Sequence, residues 1–218
     1  MSVVVDIVSD VICPWCFLGK RRLDKAIAAL GNVAVDVRWR PFLLDASIPK
    51  EGMPRRLYLE RKFGKERLPN LHAPLKAAGE AEGIPYAFDK ITVTPNSLDA
   101  HRLIRWAHAS GKQHDVSERL FELYWLEGAD IGNRDVLIEA AVEIGLDGGV
   151  ISELLDSETD LDAVTGEIEA AANIGITGVP TFIFANRYAV VGAQPAEVLA
   201  SAITRAGLEE RADKAGAT

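Results

Sequence analysis

The stretch Val3-Val4-Val5-Asp6-Ile7-Val8-Ser9-Asp10-Val11-Ile12-Cys13-Pro14-Trp15-Cys16 decides how this chain is read. Its first half is a nearly continuous apolar run, the pattern of a strand covered on both faces. Its end carries both of the cysteines found in the 218 residues. The one intramolecular disulfide open to them closes a very small loop, and by loop entropy such a ring stabilises a fold by only about 2 kcal/mol. Thiol chemistry explains the pair better than architecture does.

Working outward, Pro14 sits where a first helical residue would sit, since its missing N–H is no loss there. Leu18, Leu23, Ile27 and Leu30 recur at roughly helical spacing and Gly31 is a stop. A second strand, Val33 to Trp39, ends at Pro41. The order strand, Cys-x-x-Cys at a helix start, strand is the opening of a thioredoxin-type βαβ unit. From about Pro49 to Gly175 helical signals dominate: Leu98 to Ala109, a helix opened by an Asp115/Glu118 capping box, one capped by Asn133 with Leu137, Ala140, Ala141 and Ile144 inward, then Ile151 to Leu155 and Leu161 to Ile174. Short helices and loops are expected over 64–95, which is rich in proline. The β pattern returns as Thr181 to Phe184, an Asn186-Arg187 turn and Tyr188 to Val191. A last helix follows, with Val198, Leu199, Ala202 and Ile203 inward, and the tail from Glu209 should fray. The expected fold class is therefore α/β. A thioredoxin-like domain, residues 1–45 and 175–218, is split by an all-helical insertion, residues 46–174.

A net charge of −8 argues against a nucleic-acid partner, which would need a basic surface. No apolar run is long enough to cross a bilayer. The N-terminus has no basic segment, and Asp6 and Asp10 interrupt the apolar run, so it does not read as an export signal. A cytoplasmic location is expected, where Cys-x-x-Cys is usually catalytic or metal-binding. A closed zinc site needs about four ligands. His72, His101, His108 and His114 are the only histidines that could complete one, and neither a metal nor a bound cofactor is expected.

Cys13 is the expected attacking sulfur. At the head of a helix, unpaired backbone N–H groups and the positive dipole end favour its thiolate. Cys16, one turn on and more buried, is placed to resolve a mixed disulfide. Asp10 opposes the dipole through its negative charge. Far along the chain, Gly178-Val179-Pro180-Thr181 opens the returning strand, where a proline costs no ladder bond.

Cys13-Pro14-Trp15-Cys16-Phe17-Leu18-Gly19, Trp39-Arg40-Pro41-Phe42, Asp99-Ala100-His101-Arg102-Leu103, Gly178-Val179-Pro180-Thr181-Phe182 and Gly192-Ala193-Gln194-Pro195 occur in that order. With them the chain resembles the DsbA-like thioredoxin family, in its FrnE-type branch, over roughly residues 3–206. The resemblance implies thiol–disulfide oxidoreductase or isomerase activity on protein thiols and disulfides, with Cys13 and Cys16 catalytic and Pro180 a cis-proline beside them. Val179 would offer its backbone to an extended substrate peptide. Pro14, Trp15, Asn96 and His101 would complete the substrate-binding surround, and a homodimer is implied. Kappa-class glutathione transferases and 2-hydroxychromene-2-carboxylate isomerases are similar in fold but carry serine where Cys13 stands. A glutathione-dependent isomerase or transferase, with glutathione as co-substrate, is the second reading. A third is a non-enzymatic oxidation sensor presenting Trp106, Phe121, Tyr124 and Trp125 as a surface.

Overall fold

The computed structural model describes residues 2–216. Strand β1 (Ser2–Ser9) leads through the cysteine loop into helix α1 (Pro14–Ala29), and the chain returns as β2 (Ala34–Pro41), parallel to β1. A short ladder of β3 (Met53–Pro54) and β4 (Val93–Thr94) brackets helices α2 (Arg55–Phe63) and α3 (Ala73–Ala81). Then come α4 (Leu98–Trp106), α5 (Gln113–Glu122), α6 (Arg134–Glu143), α7 (Gly148–Leu155) and α8 (Leu161–Asn173). Strands β5 (Thr181–Phe184) and β6 (Tyr188–Val191) and helix α9 (Ala196–Gly216) complete the chain.

The main sheet runs β2-β1-β5-β6, so the two ends of the sequence meet at its centre, where β5 lies antiparallel to β1. Val3 approaches Gly207 of α9, whereas Asp6, of opposite parity on β1, pairs with Arg40 near Glu167 of α8. Alternation along the strand therefore sends successive side chains to opposite helical layers. Helix α1 lies beside α9. One continuous cluster of buried side chains joins Val5, Phe17 and Phe182 of the thioredoxin-like part to Leu103, Phe121 and Trp125 of the helices between.

Several expectations need correction. Helix α5 begins at Gln113, so Asp115 lies inside its first turn and Glu118 does not close a capping box. Glu118 instead pairs with Lys20 and Arg21 of α1. The β5–β6 turn centres on Ala185-Asn186, both in the left-handed region, and is closed by Arg187 N–H on Phe184 O. The continuous helix at Leu98 stops at Trp106, and a tighter 3₁₀ turn carries Ala107–Ser110. Val198 faces solvent, because the buried stripe of α9 is Leu199, Ala202, Ile203 and Ala206. The expected frayed tail is helical through Asp213, which pairs with Arg187, and residues 217–218 lie outside the described residues. Phe121, Tyr124 and Trp125 are fully buried core, so they form no exposed aromatic surface.

Candidate active site

Ser9-Asp10-Val11-Ile12 turns the end of β1 into the head of α1, and the turn is tied tightly. Cys13 N–H donates to Asp10 O at 2.9 Å. The Asp10 carboxylate is wholly buried and accepts from Ile12 N–H at 3.2 Å and Leu44 N–H at 2.7 Å. Its charge is thus spent on the loop that carries the cysteines. Cys13 is the N-cap residue, in extended conformation, with Pro14 the first helical residue. Cys13 O takes the N–H of Cys16 at 3.0 Å.

Both cysteines are free thiols, 3% and 1% exposed. Cys13 is therefore more enclosed than a residue at a helix head usually is. Burial pushes the Cys16 thiol well above its ordinary range, and the adjacent Cys13 sulfur adds to the effect. The Ser9 hydroxyl and the Asp10 N–H pull the other way without reversing it. Cys16 accordingly keeps its proton near neutral pH.

Opposite the thiols the Val179–Pro180 peptide is cis. Cys13 Sγ donates to Val179 O at 3.7 Å, and Pro180 O is anchored by Gly192 N–H at 2.7 Å. Gly19 lets α1 approach this wall: a Cβ there would lie 2.9 Å from Pro180 Cγ. Trp15, 42% exposed, is the large apolar group presented to solvent beside the buried sulfurs. Cys13, Pro14, Trp15, Cys16, Val179 and Pro180 are thus gathered at one place.

Asn96 and His101 are used differently. Asn96 holds Ile48 O through Nδ2 at 2.8 Å and Leu98 N–H through Oδ1 at 3.0 Å, fixing the entry to α4. His101, 4% exposed, has Nε2 3.0 Å from Phe42 O and 3.6 Å from Asp10 Oδ1. It props the cysteine loop from beneath through these contacts. Asn96 Nδ2 and Oδ1 are thus taken by backbone, and His101 Nε2 lies between Phe42 O and the Asp10 carboxylate.

Two residues to which the sequence reading assigned no part in the cysteine site pin the loop from the helical insertion. Trp125, on a wide π-type turn Leu123–Glu127, donates its Nε1–H to Val11 O at 3.0 Å. Tyr86 donates its hydroxyl to Pro14 O at 2.7 Å. Aromatics at helical spacing signal core, and the proline-rich surroundings of Tyr86 carry no period, so neither bond was legible.

A cavity of about 500 Å³ runs along β2 against α4 and α8, lined by Ser9, Trp39, Arg40, His101 and Arg105, and it contains neither cysteine. The sulfurs lie outside it, both buried. His108 and His114 are separated by five residues, a spacing zinc could use. However, His114 Nε2 sits on Asp24 at 2.7 Å, and among the described residues no group of three or more His, Cys, Asp or Glu side chains could hold a metal. Among the described residues, no helix is long and apolar enough to cross a membrane.

Comparison with known proteins agrees with this geometry. The family model "DSBA-like thioredoxin domain" matches residues 4–204. The crystal structure of a probable DsbA oxidoreductase from Streptomyces coelicolor superposes with a TM-score of 0.86 at 33% identity, covering 95% of this chain and 91% of that one. The uncharacterized protein YwbO of Bacillus subtilis is 28% identical over 209 residues, 94% of this chain and 97% of its own. The cytosolic disulfide reductase DsbM of Pseudomonas aeruginosa, solved with glutathione, shares the fold at a TM-score of 0.65 and 20% identity, over 97% and 99% of the two chains. The paired thiols at the head of α1, the proline wall facing them and the match along nearly the whole sequence lead to one conclusion: the chain belongs to the DsbA-like thioredoxin family.

Proposed function

We propose that this protein is a cytoplasmic thiol–disulfide oxidoreductase of the FrnE type, exchanging disulfides with protein substrates through Cys13 and Cys16. The observation that carries the reading is the asymmetry of the two thiols. Cys13 occupies the N-cap position and its Sγ donates to Val179 O, whereas Cys16 is held protonated by burial one turn deeper. The Cys13 thiolate attacks a substrate disulfide, forming a Cys13–substrate bond and expelling the other substrate sulfur as a thiolate. Cys16 then gives up its proton and attacks the Cys13 sulfur. The second substrate thiolate leaves, and two electrons have passed from the dithiol to the substrate. The reverse sequence inserts a disulfide.

The setting of the sulfurs favours a protein substrate. Trp15 offers exposed apolar contact area, and the half-buried Val179 beside it would offer its backbone to an extended chain. Cys16→Ser should trap substrates as mixed disulfides, and Cys13→Ser should abolish reduction of insulin disulfides. Retained activity in Cys13→Ser overturns the reading. The glutathione held by the DsbM structure supports a second one, in which Cys13 exchanges with or activates glutathione for an isomerase or transferase reaction. Saturable glutathione binding and turnover of an electrophilic aromatic substrate, with an inert dithiol, would favour it.

A further inference from the structure

We infer that Arg22 is a positioning residue, which holds the Val179–Pro180 segment in place for an extended substrate. The inference rests on the reading above, in which the Val179 backbone receives the substrate chain beside Cys13. Each carbonyl of the segment has a donor. Gly178 O takes the Thr181 hydroxyl at 2.8 Å, Val179 O the Cys13 thiol at 3.7 Å, and Pro180 O the Gly192 N–H at 2.7 Å. These ties are unequal. The thiol bond is long and needs the proton on sulfur, so it is lost once Cys13 is a thiolate or is part of a disulfide. In those reactive states the Gly192 N–H is the tie on the proline that follows Val179.

Gly192 is held in turn through Arg22. The corner Gly192-Ala193-Gln194 leaves β6 with Gly192 in the left-handed region, which glycine enters freely. Gln194 ties the corner to itself, its N–H on Gly192 O at 2.8 Å and its Nε2 on Val191 O at 2.9 Å. Ala193 O instead accepts from Arg22 Nη1 at 2.5 Å. Arg22 lies on α1 two turns below Trp15, and its Nε donates to Glu82 Oε1 at 2.8 Å, at the end of α3. The other Glu82 oxygen takes Lys25, and the Arg22 and Glu82 side chains are both more than four-fifths buried. One guanidinium therefore joins the helix that carries the cysteines, the helical insertion and the corner after β6. Its planar fork suits two acceptors at once, and a charged donor holds a carbonyl more firmly than a neutral one. Ala193 and Gly192 are consecutive, as are Pro180 and Val179, so the path from Arg22 to the substrate edge is unbroken.

The test compares two oxidants in single-turnover reactions of the reduced full chain. A quenched fluorescent peptide disulfide has a backbone to be held, and dithiobis-nitrobenzoate has none. In both reactions two electrons pass from the Cys13–Cys16 dithiol to the oxidant, whose disulfide becomes two thiols. Arg22→Gln should raise the half-saturating peptide concentration about three- to tenfold. It should leave the limiting rate, and the rate with dithiobis-nitrobenzoate, within about twofold of the parent. Glu82→Gln keeps Arg22 but removes its charged partner. It should raise the half-saturating concentration about two- to threefold, and it serves if Arg22→Gln fails to fold. Arg21→Gln is the control: it removes an equal charge from α1, where Arg21 meets Glu118 and Glu122, and should change none of the three. Equal slowing with both oxidants, or an equal effect from Arg21→Gln, marks a merely structural role and overturns the inference. So does an unchanged half-saturating concentration in Arg22→Gln and Glu82→Gln. A parent that leaves the peptide disulfide intact overturns the proposed function and takes this inference with it.

Discussion

Helix α1 has two buried faces, and they are held by different physics. Positions 16, 19, 23 and 26 form one stripe, of cysteine, glycine, leucine and alanine, with Gly19 against Pro180 and Phe182. Positions 17, 20, 21 and 24 form the other, turned toward α5. Phe17 stacks on Phe121 at 5.3 Å, Lys20 reaches Glu118 at 2.6 Å and Asp24 at 2.9 Å, Arg21 also reaches Glu118, and Asp24 takes His114 at 2.7 Å. The first face is close-packed and apolar, the second a stacked aromatic pair rimmed by charges. Lys20, 3% exposed, is tolerable there only because two carboxylates meet it. The apolar face sets how near the thiols come to the cis-proline wall. The ionic face docks the helical insertion whose Tyr86 and Trp125 pin the cysteine loop.

If the two faces act separately, their disruption should separate too. The largest loss belongs to Phe17→Ala, which removes a fully buried ring shared by both layers and should cost about 3–5 kcal/mol in denaturant unfolding. A loss below about 1 kcal/mol would mean that the Phe17–Phe121 stack does not join them. Lys20→Met should cost about 2 kcal/mol by leaving Glu118 without its buried partner, and adding Glu118→Leu should recover most of it. Failure of the double variant to recover would show that the charges do more than match each other. Gly19→Ala should cost about 1–2 kcal/mol despite alanine's better helix propensity, because the added methyl overlaps Pro180. It should also slow disulfide exchange, which the Lys20 variants should leave near normal. Equal slowing by both would collapse the distinction.

The smallest effect is one of pH. Burial tends to raise the Asp24 carboxyl, but the His114 hydrogen bond and the Lys20 charge outweigh it, so the group lies below its ordinary range. A carboxyl depressed in the folded state adds stability above its unfolded value and loses it as pH falls through the folded one. Asp24→Asn should flatten the fall in unfolding free energy between about pH 5 and pH 2. An unchanged acid slope would assign that fall to other carboxyls.

The legibility of these parts in the sequence follows the same division. Strand β1, the cap at Cys13, Pro14 at the first helical position, the stop at Gly31 and the returning β5–β6 hairpin obey rules that act over a few residues, and they were read nearly to their ends. Apart from local offsets at the β5–β6 turn, the end of α4 and Val198, the errors fell where a side chain's partner lies far along the chain. Glu118 looks like a capping residue until Lys20 is beside it, and nothing near His101 in the sequence shows that its Nε2 will lie by Phe42 O and Asp10. Tyr86 and Trp125 gave no sign that they would reach Pro14 and Val11.

By itself the sequence determined the dithiol, its place at the head of a helix, and the order of strands and helices around it, because caps, turns and apolar periods are local properties of the chain. Only the tertiary structure decided which thiol is sealed in, which charges are buried and which aromatic side chains hold the cysteine loop. Those outcomes depend on desolvation and on partners far along the chain, 60 positions away for Arg22–Glu82 and 166 for Cys13–Val179, and no window of sequence contains both members of such a pair.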